Sequence, residues 1–178
     1  MSLALWLQPP SGVAAILQES IDKLSKAANS DQFLPHVTVT TQVPSDIDRE
    51  ALQGIADRLL GETSVSFTQL VFGTYFFKNA FIRVERSESL LELTHACRAL
   101  FDPEVDTWIQ SYDPHVSLIY SNIDILYHPE LKEAAVQAYA HIAESCQGWV
   151  GGSLALVDCF GSPVAEWTPL WTSSSAKS

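Results

Sequence analysis

The chain has 178 residues, 47% of them hydrophobic, enough for one domain with a substantial core or for two small lobes sharing a cleft. Ten Lys and Arg stand against 21 Asp and Glu, a net charge of -11. A groove that tracks many phosphates needs clustered cations, so a long nucleic-acid ligand is disfavoured, whereas a small ligand with one or two phosphates remains compatible.

The opening run Ser2–Gln8 reads as a core strand. It has no basic residue ahead of it and meets Pro9-Pro10, which is not signal-peptide chemistry. No apolar run has membrane-spanning length. Cytoplasmic residence is therefore expected, with association with an organelle such as the Golgi left open. Ser11 is expected to cap a helix to about Ala28, with Ile16, Leu17, Ile21 and Leu24 on one face. Leu34–Thr41 reads as a strand. Pro44-Ser45 is expected to open a helix to about Leu60, with Ser45 as cap and Gly61 as stop. Ser64–Phe77 and Ala80–Val84 read as strands, with a bulge at Gly73 and a turn at Lys78-Asn79. Ser87 caps a helix to about Leu100, and Val105–Gln110 is a short helix. Pro114–Tyr120 is a strand, and Pro129 opens a helix to about Ser145. Trp149–Phe160 and Trp167–Trp171 close the fold as strands. Residues 1–172 form the expected single bilobal domain, and the Ser-rich 173–178 a disordered tail.

One tetrad occurs twice. His36-Val37-Thr38-Val39 lies in FLPHVTVT and His115-Val116-Ser117-Leu118 in DPHVSLIY, each with a Pro before the His. Side chains two apart on a strand share a face, so each copy presents an imidazole and a hydroxyl together. The copies are 79 residues apart, near half the chain, and each follows a strand and a helix. This predicts an α+β, duplicated bilobal fold: two pseudo-symmetric lobes of antiparallel sheet plus helices around a central cleft.

Two imidazoles facing one ligand suit acid–base chemistry on a phosphate ester. One takes a proton from water while the other gives one to the departing alkoxide. Thr38 and Ser117 are candidates to donate to the non-bridging oxygens. No metal or other cofactor is required. Two His as ligands of a metal is the competing reading, but it lacks further ligands at suitable spacing. Asp46 and Asp48 read as helix-start residues and Asp113 as turn chemistry. His95, His128 and His141 read as structural or exposed. Cys97, Cys146 and Cys159 have no CxxC spacing, so they read as reduced, mostly buried thiols and suggest neither disulfides nor zinc. Most aromatics, Trp6 among them, read as core. Tyr120 is a possible substrate contact, although strict alternation puts it opposite His115 unless the strand end bends. Lys78, Arg83 and Arg86 are the basic residues nearest to any phosphate argument, but they read as solvated charges.

The paired motifs resemble the two-histidine (2H) phosphoesterase superfamily, defined by two H-x-[ST]-x motifs. FLPHVTVT at 33–40, GTYFFKNAFIRVERS at 73–87 and DPHVSLIYSN at 113–122, with the opening LALWLQPP, resemble its fungal and plant cyclic phosphodiesterase branch. The resemblance implies a metal-independent 2′,3′-cyclic-nucleotide 3′-phosphodiesterase. It implies hydrolysis of nucleoside 2′,3′-cyclic phosphates to 2′-phosphates. It also implies conversion of ADP-ribose 1″,2″-cyclic phosphate, a tRNA-splicing by-product, to ADP-ribose 1″-phosphate. His36 and His115 carry over as catalytic residues, Thr38 and Ser117 as phosphate-binding ones. Of the near-symmetric pair, His115 is taken as the base and His36 as the acid. A monomer with a small-molecule substrate is expected. The rivals are an RNA-end phosphodiesterase or ligase-like relative, which would favour a basic channel, and a nucleotide-binding protein without turnover.

Overall fold

The structure, a computed structural model, describes residues 2–174. Among these residues, eight strands and five α-helices follow in chain order: β1 Ser2–Gln8, α1 Ser11–Ala28, β2 Val37–Pro44, α2 Arg49–Leu59, β3 Ser64–Tyr75, β4 Lys78–Val84, α3 Glu88–Arg98, α4 Val105–Gln110, β5 His115–Ile119, α5 Pro129–Ser145, β6 Gly148–Val150, β7 Ser153–Val157 and β8 Pro169–Thr172. All strands join one antiparallel sheet in the order β6-β3-β4-β5-β2-β1-β7-β8. At its centre β2 and β5 meet through one register pair, Val37 opposite Val116.

The order outward from that joint exposes the duplication. On one side lie β2, β1, β7 and β8; on the other lie β5, β4, β3 and β6. The segment β1-α1-β2-α2 matches β4-α3-β5-α5, with the short α4 inserted before β5. Each half then sends its next long strand, β3 or β7, to the sheet of the other half. Helix α1 packs on α5, and α2 on α3. The predicted bilobal α+β architecture is the one observed, with the motif strands side by side at the centre.

The core explains the long apolar runs. Leu3, Leu5 and Leu7 of β1 are buried, and so are Ala4 and Trp6 on its other face. A strand covered on both faces has no reason to alternate apolar with polar residues. Leu17, Ile21 and Leu24 form the buried stripe of α1, which ends where Asn29 takes a left-handed φ of 49°. Among the described residues no helix is long and apolar enough to cross a membrane.

Several predicted boundaries move. The first motif strand runs over Val37–Pro44, leaving His36 just ahead of it, because β1 ends at Gln8 and its pairing with β2 stops at Leu7 opposite Val37. Ser11 is the first residue of α1 and Pro10 occupies the cap position. Asp48, three residues beyond Ser45, caps α2 by accepting from the Glu50 and Ala51 amides. Its carboxylate satisfies two donors at the helix start that would otherwise lack partners. The hairpin turn is Phe76-Phe77, with Tyr75 opposite Lys78. Asn79 is buried inside β4, where its amide donates to the Ser121 and Ile123 carbonyls.

The strand expected over Trp149–Phe160 divides into β6 and β7, which lie at different parts of the sheet. Gly151 and Gly152 separate them with φ of 78° and 103°; a Cβ on Gly152 would sit 2.1 Å from the Gln8 carbonyl oxygen. Trp167 precedes the last strand, which starts at Pro169. Ser173 and Ser174, assigned to the tail from sequence, are tied to the fold. The Ser173 hydroxyl accepts from the Leu154 amide, and the Ser174 amide donates to Gln53. The rest of that predicted tail, 175–178, lies outside the described residues.

Candidate active site

The two motif histidines line one cavity of about 300 Å³ at the joint between the half-sheets. Thr38, Lys78 and Tyr120 line it too, with an aromatic wall of Trp6, Phe77, Phe160 and Trp167.

Both imidazoles are held in the same way. His36 Nδ1 lies 2.7 Å from the Leu34 carbonyl oxygen, and His115 Nδ1 lies 2.8 Å from that of Asp113. A carbonyl only accepts, so Nδ1 carries the hydrogen in each ring and donates it. Nε2 is then the basic nitrogen of the neutral ring. In both cases the partner is two residues earlier, one residue before the Pro of the motif. The repeated Pro thus belongs to a repeated anchor that fixes tautomer and ring direction.

The surroundings of the two rings differ. His36 is 6% exposed and stacks face to face on Trp6, with centroids 3.7 Å apart and planes 6° apart. Burial pushes its pKa down to about 4, against the upward pull of the Leu34 bond and with a further push from His115. His115 is only partly buried and meets the Phe81 ring edge-on at 5.3 Å. Its pKa is also lowered, first by burial and then by the Lys78 and Arg83 charges, while its bond to Asp113 and the Asp113 charge oppose the shift. Burial thus favours the neutral form of both rings when no anion is bound.

The hydroxyl residues also differ. Thr38 pairs in register with Trp6 and lines the cavity. Ser117 is 4% exposed, and its hydroxyl donates to the Phe77 carbonyl at 2.9 Å. It does not line the cavity wall directly. Tyr120 lines the cavity although strand alternation opposes it: β5 ends at Ile119 and the chain turns after it. Tyr120 stacks on Phe33 at 3.8 Å, and burial raises its phenol pKa, keeping it protonated.

Lys78, expected from sequence to be a solvated charge, belongs to the site. It lines the cavity and pairs with Asp113 at 2.8 Å. Its position next to three aromatics gave a weak signal, because a lone Lys after a turn is usually solvated. Trp6, read as core, is both buried and part of the cavity wall. Cys159 also reaches the wall, but burial pushes its thiol up to about 12, so it is no nucleophile at neutral pH. His95 pairs with Asp106 away from the cavity.

The fold is LigT-like, with the paired-histidine cavity at the joint between its half-sheets. Escherichia coli LigT, solved as a complex with NADP+, superposes with a TM-score of 0.52 at 12% identity, covering 98% of each chain. Residues 1–174 match the family described as "Cyclic phosphodiesterase-like protein", and the chain belongs to that family. A Phaeosphaeria nodorum protein named 2′,3′-cyclic-nucleotide 3′-phosphodiesterase is 30% identical, covering 94% of this chain and 95% of its own. A Yarrowia lipolytica protein of the same name is 28% identical, with 96% and 98% covered. The cyclic phosphodiesterase of Arabidopsis thaliana is 25% identical over 76% of this chain and 72% of its own.

Proposed function

We propose that this chain is a 2′,3′-cyclic-nucleotide 3′-phosphodiesterase, a phosphoric diester hydrolase that opens nucleoside 2′,3′-cyclic phosphates to 2′-phosphates. The observation that carries the reading is the pair of imidazoles in one cavity, each with Nδ1 held by the carbonyl two residues before it. The names of the fungal and plant relatives support the same chemistry.

Hydrolysis is an in-line displacement at phosphorus. His115, the less buried ring, takes the proton of a water arriving from solvent. That water attacks phosphorus, and the P–O3′ bond opposite breaks. His36, deep against Trp6, gives its proton to the departing 3′ oxygen. For His36 to do so it must first be protonated, which the bound phosphate anion favours. An imidazolium whose pKa is depressed is also the stronger acid toward the leaving alkoxide. Thr38 donates to a non-bridging oxygen as charge grows there. Ser117 joins it only by turning its hydroxyl off the Phe77 carbonyl. Tyr120 and the aromatic wall hold the nucleoside.

ADP-ribose 1″,2″-cyclic phosphate carries the same five-membered ribose cyclic phosphate and is the second substrate, which places the enzyme downstream of tRNA splicing. The net charge of -11 agrees with a small diffusible substrate in preference to tRNA. The functional unit in this reading is a cytoplasmic monomer with one bilobal catalytic domain. Incubation with the four nucleoside 2′,3′-cyclic phosphates and with ADP-ribose cyclic phosphate, in chelator, tests it. Formation of 2′-phosphates and ADP-ribose 1″-phosphate is expected. Release of 3′-phosphates, or no turnover of any of them, would overturn it.

A further inference from the structure

Among the described residues, Lys78 is the one Lys or Arg that lines the cavity. Its backbone is seated by close packing: a Cβ on Gly73 would lie 2.2 Å from the Lys78 carbonyl oxygen, so only glycine opposite it allows the approach. Its ammonium lies 2.8 Å from Asp113 Oδ2 and 5.6 Å from the centre of the Phe81 ring. Arg83 approaches the other carboxylate oxygen of Asp113 at 3.7 Å. Two cations and one carboxylate leave one net positive charge in this cluster, of which Lys78 lines an otherwise largely apolar cavity, in a chain whose net charge is -11. Asp113 also accepts the Nδ1 hydrogen of His115 through its backbone carbonyl. The same residue therefore positions the ammonium and the imidazole. An ammonium has three donors, and the bond to Asp113 engages only one of them.

We propose that Lys78, held in place by Asp113, is the cation that receives the phosphate of the substrate. The inference rests on the cyclic-phosphate reading above for the identity of that substrate, but not for the binding of an anion. A merely exposed ion pair would contribute little to stability or affinity. A charge-assisted bond to phosphate contributes enough for its loss to weaken binding roughly 10- to 100-fold.

The test measures binding of inorganic phosphate and of a nucleoside 2′-phosphate by calorimetry, in wild type, Lys78→Met, Lys78→Arg and the remote control Lys23→Met. Steady-state kinetics on a nucleoside 2′,3′-cyclic phosphate accompany it. Lys78→Met is expected to weaken phosphate binding roughly 10- to 100-fold, to raise KM more than it lowers kcat, and to recover in Lys78→Arg. Lys23, which pairs with Glu19 on α1, should leave both unchanged. A second readout separates direct contact from general structure. His115 is faced by Lys78, Arg83, Asp113 and His36. Removing the Lys78 charge should move the acidic limb of the kcat/KM profile to higher pH. Unchanged phosphate affinity in Lys78→Met, or no phosphate binding by wild type, would overturn the proposal. Phosphate binding that needs Lys78 in a wild type inert to cyclic phosphates would instead uphold it and sink the hydrolysis reading.

Discussion

Phosphate binding should return a proton to His36. In the free protein burial holds this ring at a pKa of about 4, against 6.5 for an ordinary histidine. To act as an acid at neutral pH it must rise by about three pH units, which corresponds to roughly 4 kcal/mol. A single negative charge about 4 Å from the imidazolium, at an effective dielectric constant of about 20, supplies roughly 4 kcal/mol. One phosphate anion in the cavity is therefore enough, without movement of the sheet. The assay is an NMR titration of histidine-labelled protein, with and without saturating inorganic phosphate and with His36→Gln to assign the signal. The His36 midpoint should lie near 4 when free and move into the neutral range when phosphate is bound. Observation of an ordinary midpoint in the free protein would refute the burial argument. A midpoint that stays near 4 with phosphate bound would refute His36 as the acid.

The same burial affects acid stability. His36 has a folded pKa below its unfolded value, so its neutral form stabilises the fold above pH 6.5. That contribution fades as pH falls through 6.5 towards about 4. Wild type should lose about 3 kcal/mol more than His36→Gln between pH 7 and pH 4, read from urea unfolding; equal losses would count against it. Trp6→Leu removes the stack on His36 while keeping an apolar side chain, and should lower kcat roughly three- to thirtyfold and also raise KM, because Trp6 is part of the aromatic wall. Unaltered kcat would mean that Trp6 only fills space. Gly73→Ala forces a methyl against the Lys78 carbonyl and should cost roughly 1–3 kcal/mol in unfolding free energy. A variant as stable as wild type would show that the hairpin accommodates the methyl.

Much of the architecture is legible before any coordinates, and the reason is the repeat. The tetrads fall on equivalent strands because each is preceded by a strand and a helix in its own half. Helix boundaries set by local chemistry, such as Ser87 capping α3 and Pro129 opening α5, stand where composition puts them. Boundaries set by partners do not. The first motif strand starts at Val37 because β1 runs out, and the Gly151-Gly152 break reflects the close approach of the chain at Gln8. Within the site, His36, Thr38 and His115 reach the cavity wall as alternation requires, whereas Tyr120 needed the end of β5 to override it. Ser117 departs from its motif partner for a nonlocal reason, the Phe77 carbonyl brought in by the hairpin turn. Lys78 was read as a solvated charge for the same reason: its significance comes from Asp113, 35 residues away, and from the cavity.

The most direct test of the paired-imidazole account is turnover of a nucleoside 2′,3′-cyclic phosphate by His36→Ala and His115→Ala. Folding of each variant is verified by circular dichroism. Each substitution should lower kcat/KM by roughly 10²–10⁴-fold while wild type releases only the 2′-phosphate. Near-normal turnover in either folded variant would contradict the account.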